Sequence, residues 1–336
     1  MNNEIGVLFL FFNKIETTEK VFSRILEAKP EKLFLAQDGA REGNSFDLKN
    51  VPECRERVET LLSQIDWDCK IYRNYASQNM GCDPREYDAI SWAFESVDKL
   101  IIIEDDCLCS HSFFRFMEEL LFCYEQDERI SIISGLERLG SNPFCDKSYY
   151  FTQACSGWGW ATWRRVWRDV QRISKDYHYI ENQNFVENLD LYVKKTAIKA
   201  LQNYVQMTRD HKNSNEREQK MCSWEFAVST AMVLESRLAI NPVVNLVKNI
   251  GVVPGATHSG KDIRLVPQRN KKIFNLEAKE LNFPLKHPEF VIRDMKYEEK
   301  FNKIYAFSKW QAFCDKIERI FLLVWYRGIK SIIKKS

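Results

Sequence analysis

The feature that most constrains the fold is the segment 99–106, in which four aliphatic residues are followed directly by three acidic ones. An unbroken aliphatic run bounded by charge is typical of a strand buried on both faces, in the middle of a parallel sheet covered by helices. In open α/β sheets the ligand crevice lies outside the carboxyl ends of the strands, where the three acids are expected. The segment therefore predicts an α/β fold with an acidic site at one edge of the sheet.

The acidic triplet, Glu104, Asp105 and Asp106, needs a positive partner, because neighbouring carboxylates disfavour one another's ionisation. Oxygen ligands suit Mg²⁺ or Mn²⁺, and Mg²⁺ is commonly held by one or two carboxylates together with substrate phosphates. A second interpretation stays open at this point. The acids would then form a solvated turn, with Asp106 or Ser110 capping a helix that begins near residue 111.

Strands and helices alternate through the first third of the chain, which indicates βαβ units and a parallel sheet. The predicted strands are 5–12, 32–37, 69–73 and 100–103, and the predicted helices are 16–28, 52–64 and 84–97. The loops that follow the strands carry polar residues. Because these loops converge on one edge, we expect them to build one site from Asn13, Asp38, Asn79, Gly81 and the acidic triplet.

Neither of the two best-known phosphate-binding motifs occurs here. No GxGxxG sequence follows the first strand, and the chain contains no GxxxxGK[ST] sequence, so neither a dinucleotide fold nor a P-loop is supported. A basic side chain would still be needed to neutralise phosphate charge. Arg85, or a lysine from the segment 210–220, is the candidate for that role.

A tryptophan-rich segment, residues 155–167, holds four tryptophans and two glycines. Glycines permit a close approach of the backbone, and indole rings supply flat apolar walls. This combination suits contact with a sugar face or a base, so Trp158, Gly159 and Trp160 are candidate substrate-binding residues. An aromatic core beneath a glycine-rich turn is the alternative.

The second half of the chain is predicted to contain fewer regular elements. Residues 190–209 have a helical pattern, and residues 210–220 are polar and charge-mixed, which predicts a loop over the site. A helix is expected from Ser223 to about residue 235, then a short strand and loop at 240–251. Residues 261–298 are rich in loop-forming residues.

The last segment, residues 299–336, differs in kind. From residue 301 onward its apolar residues recur at helical spacing, and eight Lys and Arg face only Asp315 and Glu318. A basic amphipathic helix rich in Trp and Phe fits an in-plane anchor on an anionic membrane leaflet. A helix packed on the α/β domain, with its charged face in water, is the other open interpretation.

Charge and composition bound the partners and the compartment. The chain of 336 residues has a net charge of +2, which predicts no general affinity for nucleic acid. No stretch approaches the roughly 20 apolar residues that a membrane-spanning helix needs. The run at 5–12 lacks a basic flank and a cleavage site, and the ten cysteines form no CxxC pair. We therefore expect a cytoplasmic protein with reduced thiols and no zinc site.

Taken together, the motifs of this chain resemble bacterial glycosyltransferases of the GT-A fold, in the family 2-like group that decorates surface polysaccharides. The acidic triplet and the Trp-acid element are also similar to those of eukaryotic N-acetylglucosaminyltransferase I. The resemblance runs from about residue 5 to 260. It is carried by FNK at 12–14, TT at 17–18, AQDG at 36–39, NMGC at 79–82, IEDD at 103–106, SGWGWATW at 156–163, SWE at 223–225, NLVKNIG at 245–251 and ATH at 256–258.

The resemblance implies an inverting transferase that uses Mn²⁺ or Mg²⁺ and a nucleotide-diphosphate sugar, with a UDP-sugar as the first expectation. By position, Asp38 matches the acid that binds the nucleobase, and Asp106 matches the carboxylate that ligates the metal. Glu104 and Asp105 would contact the ribose and the donor sugar.

Three further roles follow from the same resemblance. Glu225 falls where the family has its catalytic base, which is usually Asp, and Trp224 beside it would contact substrate. His258 lies where some members supply a further metal or pyrophosphate contact, although a histidine in a loop also suits an ordinary surface position. Breaking a sugar–phosphate bond needs a metal at the leaving diphosphate and a carboxylate that accepts the proton of the acceptor hydroxyl.

The expected organisation is a GT-A catalytic domain at 1–260, with a nucleotide-sugar-binding half at 1–106 and an acceptor half at 107–260. A loop-rich segment at 261–298 and a basic helical tail at 299–336 follow. The expected acceptor is a hydroxyl of a glycan or lipid-linked glycan, with peripheral contact at the inner face of the cell membrane.

Two other function classes stay open. One is another metal-dependent nucleotide-sugar enzyme, such as a nucleotidyltransferase or a hydrolase, and the other is a non-catalytic, membrane-associated scaffold of polysaccharide assembly. A nucleotidyltransferase of related fold should carry a Gly-rich, Arg-containing loop after the first strand, and residues 11–14 contain none.

Overall fold

A computed structural model of the chain describes residues 4–154, 156–175, 224–251 and 268–305, together with Asn2 and most of 313–322. The strands are β1 (Ile5–Phe11), β2 (Lys32–Gln37), β3 (Lys70–Tyr75), β4 (Lys99–Glu104), β5 (Cys107–Cys109), β6 (Ile130–Ser134), β7 (Tyr149–Thr152), β8 (Trp160–Trp163), β9 (Leu238–Pro242) and β10 (Val247–Asn249). The helices are α1 (Ile15–Glu27), α2 (Ser45–Leu62), α3 (Cys82–Ala93), α4 (His111–Cys123), α5 (Arg164–Lys175), α6 (Trp224–Leu234), α7 (Gln268–Phe274) and α8 (Met295–Tyr305).

Eight of the strands form one mixed sheet in the order β3-β2-β1-β4-β8-β6-β9-β7. The pairings among β1 to β4 are parallel, and only β8 and β7 run against the other six strands. The remaining two strands, β5 and β10, pair as a separate antiparallel ribbon. The predicted class, an α/β fold with a mainly parallel, Rossmann-like sheet flanked by helices, is confirmed.

The core lies on both faces of the sheet, because the central strands are buried on both sides. Along β1, Phe9 packs with residues of α1, α2 and α4, whereas Leu8 packs with residues of α3, α5 and α6. Full burial of one such side chain stabilises the fold by about 1.5–3 kcal/mol. The first five of the six residues of β4 are buried, as the aliphatic run within the segment 99–106 predicts.

One predicted helix start was wrong by several residues, and one strand was not predicted from the sequence. Helix α2 begins at Ser45, seven residues before the predicted start, because the Asn44 side chain accepts hydrogen bonds from the Phe46 and Asp47 N–H groups and caps the helix. The tryptophan-rich segment contains an unpredicted strand, β8, which inserts antiparallel between β4 and β6. The aromatic residues of β8, Trp160 and Trp163, are buried in the core.

Helix α8 packs against the β7 edge of the sheet. The Asp294 N–H donates to the Phe151 carbonyl at 2.8 Å, and Thr152 Oγ1 donates to Glu298 at 3.0 Å. Tyr297 is fully buried beneath this contact. The helix covers an edge strand that would otherwise expose unpaired backbone groups, and it starts inside the segment predicted to be loop-rich.

None of the helices within the described residues is both long and apolar enough to cross a membrane.

Candidate functional site

A cavity of about 260 Å³ opens at the carboxyl ends of β1, β2 and β4, where the acidic triplet lies. The first turn of α3 and the loop before it form one wall, and Asn249 and Phe274 reach in from later parts of the chain. Eight of the residues that sequence reasoning selected line this cavity. They are Asp38, Asn79, Gly81, Arg85, Glu104, Asp105, Asp106 and Trp158.

Three other selected residues lie outside the cavity lining. Asn13 is buried, and its amide donates to Asp47 Oδ1 at 2.7 Å, so it supports the neighbouring loop. Trp160 is 1% exposed and belongs to the core, as the aromatic-core interpretation anticipated. Gly159 has a φ of +59°, and its carbonyl accepts a hydrogen bond from the Gly135 N–H at 2.7 Å.

The remaining selected residues are only partly described. Glu225 and Trp224 lie in the first turn of α6, but their side chains are outside the described part of the structure. His258 and the predicted loop at 210–220 also lie outside the described residues. Helix α6 packs against α5 and α3.

The ammonium of Lys14 contacts two of the three carboxylates of the acidic triplet. Lys14 Nζ lies 2.8 Å from Asp106 Oδ2 and 3.3 Å from Asp105 Oδ1. Burial lowers the pKa of Lys14, but the two carboxylates outweigh it and the net pKa is raised. Asp105 is itself buried and also accepts the Phe12 N–H at 3.0 Å, and burial raises its pKa despite the nearby ammonium.

Asp106 is held in place by the ribbon formed by β5 and β10. Asn249 Nδ2 donates to Asp106 Oδ1 at 3.1 Å, and the Ile250 N–H donates to the Asp106 carbonyl at 2.8 Å. A Cβ at Gly251 would lie 2.0 Å from Asp106 Oδ2, so the glycine leaves the room that this carboxylate occupies. The motif at 245–251 therefore fixes the position of Asp106.

The donor set at the end of β4 fits a divalent metal. Glu104, Asp106 and Cys107 offer ligand atoms that all lie within 4.8 Å of one another, the one such group among the described residues. Burial raises the pKa of Cys107 well above its ordinary value, so the two carboxylates are the charged ligands of the group. Two carboxylates completed by substrate phosphates suit Mg²⁺, and oxygen ligands also suit Mn²⁺. Glu104 and Asp106 would hold the ion.

Asp38 organises the wall of the cavity opposite the acidic triplet. Its Oδ1 accepts from the Gly39 and Met80 N–H groups, and its Oδ2 accepts from the Gly81 N–H and the Asn79 amide. A carboxylate has about four acceptor positions, and all four are filled. Burial raises the pKa of Asp38, and the N–H groups of Met80 and Gly81 lower it in part. The acid thus fixes the loop at 79–81.

Arg85 presents an unused donor in the cavity wall. It is 4% exposed, and its guanidinium donates to Asn74 and, at 2.9 Å, to Asp88. Its Nε is buried and has no hydrogen-bond acceptor among the described residues. A buried donor without a partner costs about 1–3 kcal/mol.

Ten of the lining residues were not selected from the sequence, and Lys14, Arg41, Asn249 and Phe274 are four of them. Lys14 and Asn249 stand within motifs that the resemblance rests on, which was the available signal for them. Arg41 is held against the cavity by Asp47, which accepts from its Nε at 2.5 Å and its Nη2 at 2.9 Å. The Phe274 ring lies 5.3 Å from that of Trp158. No local pattern marks Arg41 or Phe274.

No family model matches the sequence. No curated protein matches it either.

Among solved structures, the chain is similar to a cytidylyltransferase from Leptospira borgpetersenii, at 14% identity and a TM-score of 0.30, over 51% of this chain and 65% of that one. It is also similar to a CMP:2-keto-3-deoxy-manno-octonic acid synthetase complexed with CTP, at 12% identity and a TM-score of 0.31, over 51% of this chain and 78% of that one. A third neighbour is HddC from Yersinia pseudotuberculosis, at 11% identity and a TM-score of 0.24, over 38% of this chain and 56% of that one. The chain therefore spans less than two thirds of the length of the first and third of these neighbours. At these scores the likenesses say nothing about function.

The chemistry of the site follows from its own groups. Carboxylates that suit a divalent ion lie beside basic side chains, and an apolar floor of Leu10, Phe11 and Ala36 lies in the same cavity. Such a cavity has acceptors for a metal, donors for phosphate oxygens and flat apolar surface for a ring.

Proposed function

We propose that the chain is a metal-dependent glycosyltransferase that binds a nucleotide-diphosphate sugar in the cavity at the carboxyl ends of β1, β2 and β4. The observation that carries the proposal is the meeting of Glu104 and Asp106 with Lys14 and Arg85 around one cavity. A diphosphate needs both a metal held by oxygen ligands and additional positive charge. The sequence resemblance to GT-A enzymes supports the same reading.

Several groups of the cavity have a place in this proposal. Glu104 and Asp106 would hold Mn²⁺ or Mg²⁺, which acts when bound as a Lewis acid toward the leaving diphosphate. Asp38 shapes the loop at 79–81, against which the nucleoside would lie. Trp158 and Phe274 form an aromatic wall that suits the face of a sugar or base.

Glu225 is the proposed catalytic base. An acceptor hydroxyl must lose its proton as it attacks, and a carboxylate positioned within hydrogen-bond reach can accept it. Glu225 lies at the start of α6, which packs against α3, and the first turn of α3 lines the cavity. Trp224 is proposed to contact the substrate. His258 is proposed to contact the metal or the pyrophosphate.

Nucleotidyl transfer is the second candidate. The cavity lining includes three basic side chains, Lys14, Arg41 and Arg85, which could contact the phosphates of a nucleoside triphosphate. The two reactions differ in product, because glycosyl transfer to an acceptor releases a nucleoside diphosphate, whereas nucleotidyl transfer to a sugar phosphate releases pyrophosphate.

The experiment incubates the chain with Mn²⁺ and a panel of UDP- and GDP-sugars, and in parallel with nucleoside triphosphates and sugar phosphates. We expect release of a nucleoside diphosphate from a UDP-sugar. Asp106→Asn should lower that release by about 100-fold or more, because one metal ligand loses its charge. Asp146→Asn, which changes an exposed acid outside the cavity, is the matched control. Release of pyrophosphate instead would select the second candidate.

A companion measurement tests the base. Glu225→Gln keeps the size of the side chain and removes its ability to accept a proton, so we expect a loss of roughly 10²–10⁴-fold in turnover with little change in donor binding. Full turnover in this variant would remove Glu225 from the proposal.

The proposed location is the cytoplasm, at the inner face of the membrane, with a lipid-linked glycan as the acceptor. Within the described part of the tail, Phe313, Ile320 and Phe321 are 52%, 53% and 71% exposed. Apolar side chains exposed on a basic segment suit partial insertion into an anionic leaflet.

A further inference from the structure

Lys14 is built into the site rather than placed beside it by chance. Its carbonyl accepts hydrogen bonds from the Thr18 N–H at 2.9 Å and from Thr17 Oγ1 at 3.2 Å, which ties its backbone to the start of α1. Its side chain is 12% exposed and points to the two acids. The backbone is therefore fixed, and the flexible four-carbon stem is the part that can move.

The ammonium of Lys14 contacts the Asp106 oxygen that would coordinate a metal. Asp106 Oδ1 already accepts the Asn249 amide, and Asp106 Oδ2 lies 2.8 Å from Lys14 Nζ. A divalent ion bound to Oδ2 would be separated from the ammonium only by that oxygen atom. Like charges at that separation repel strongly where burial excludes water.

We infer that Lys14 is an exchangeable counter-ion of the acidic triplet, and that a divalent metal binds Glu104 and Asp106 only by displacing its ammonium. The inference rests on the proposed function, because that proposal identifies Glu104 and Asp106 as the metal site. The displaced ammonium stays within the cavity, where the diphosphate of the proposed donor would meet it. The nucleotide-free protein therefore binds metal weakly.

The test measures Mn²⁺ binding to the full chain without nucleotide, by the loss of the electron paramagnetic resonance signal of free Mn²⁺. Lys14→Met keeps an unbranched apolar stem and removes the charged ammonium, and Lys14→Arg keeps the charge. We expect Lys14→Met to bind one Mn²⁺ at least about tenfold more tightly than the wild type, because the competing charge is gone. Lys14→Arg should bind as weakly as the wild type.

Two controls fix the site of that binding. Lys147→Met removes an exposed lysine paired with Asp146 and should leave Mn²⁺ affinity unchanged. Adding Asp106→Asn to Lys14→Met should abolish the gain. A thermal melt of each variant with and without Mn²⁺ checks that it is folded, and Mn²⁺ should raise the melting temperature of Lys14→Met more than that of the wild type.

The inference is overturned if Lys14→Met binds Mn²⁺ no more tightly than the wild type, or if Lys14→Arg gains as much as Lys14→Met. A parallel titration with UDP separates this result from the proposed function. Absence of UDP binding, with or without Mn²⁺, in all variants would count against the glycosyltransferase while the Mn²⁺ comparison still decides the role of Lys14.

Discussion

Replacing Gly251 by alanine would test how closely the site is built around Asp106. The three atoms nearest to an added Cβ all belong to that residue: Oδ2 at 2.0 Å, Cγ at 2.6 Å and Cβ at 2.7 Å. The backbone of Gly251 lies outside the left-handed region, so alanine is conformationally allowed there. The effect of the substitution is therefore the clash alone.

The size of the effect follows from the distances. Real Cβ atoms essentially never come within 3.0 Å of such a neighbour, so the 2.0 Å contact requires Oδ2 to move by about 1 Å. Metal–ligand distances tolerate only about 0.2 Å. We expect Mn²⁺-dependent nucleotide affinity to fall at least about tenfold, or about 1.4 kcal/mol. Overpacking of this kind costs about 1–3 kcal/mol of folding stability, which lowers the melting temperature by a few degrees.

Isothermal titration calorimetry of UDP with Mn²⁺ measures the first effect, and denaturant unfolding measures the second. The control is the same substitution in an Asp106→Gly background, where all three clashing atoms are absent. Gly251→Ala should there cost less than about 0.5 kcal/mol of further stability. Wild-type Mn²⁺-dependent affinity in Gly251→Ala, or an equal cost in both backgrounds, would refute the reasoning.

Two further predictions concern the surroundings of the site, and a third concerns the tail at 299–336. Asp38→Ala leaves four hydrogen-bond donors without their acceptor. The free energy of unfolding should therefore fall by several kcal/mol, and UDP affinity should fall at least about tenfold. Denaturant unfolding and calorimetry measure these effects, with Asp146→Asn as the control. Burial raises the pKa of Asp47, but its bonds to Arg41 and Asn13 lower it more, so the net pKa is lowered. The stability it confers is present above its unfolded pKa of about 3.9 and is lost as the pH falls through its folded value, so the melting temperature of Asp47→Asn should depend less on pH in that acid range. Phe313→Asp combined with Phe321→Asp should reduce sedimentation with phosphatidylglycerol-containing vesicles, and undiminished binding would exclude the tail as the anchor.

The layout of the first half of the fold could be predicted because its signals are local. The aliphatic run before Glu104 marks a strand buried on both faces, and the alternation of strands and helices indicates parallel pairing. Polar residues after the strands then fall at one sheet edge by geometry alone. These local signals were sufficient to select Asp38, Arg85 and Asp106 as residues of one site, and all three line the cavity.

The partners of these residues could not be predicted, because they are set by contacts between distant parts of the chain. Asp38 was assigned to a nucleobase from its position, whereas three of its four acceptor positions are filled by the loop at 79–81, about forty residues away, and the fourth by the Gly39 N–H. The role of Arg41 depends on Asp47, and Phe274 reaches Trp158 from α7. Local hydrophobic patterns contain no information about such pairs.

The two oxygens of Asp106 are restrained in different ways, and this asymmetry suggests how the site can open. Oδ1 is held by Asn249, whose backbone is paired within the ribbon of β5 and β10, 143 residues along the chain. Oδ2 is held by Lys14 through a long side chain with rotatable bonds. Because the amide is fixed and the ammonium is not, an incoming cation can replace only the lysine without disrupting the ribbon. Asp106 can therefore exchange one positive partner for another while its own position is kept.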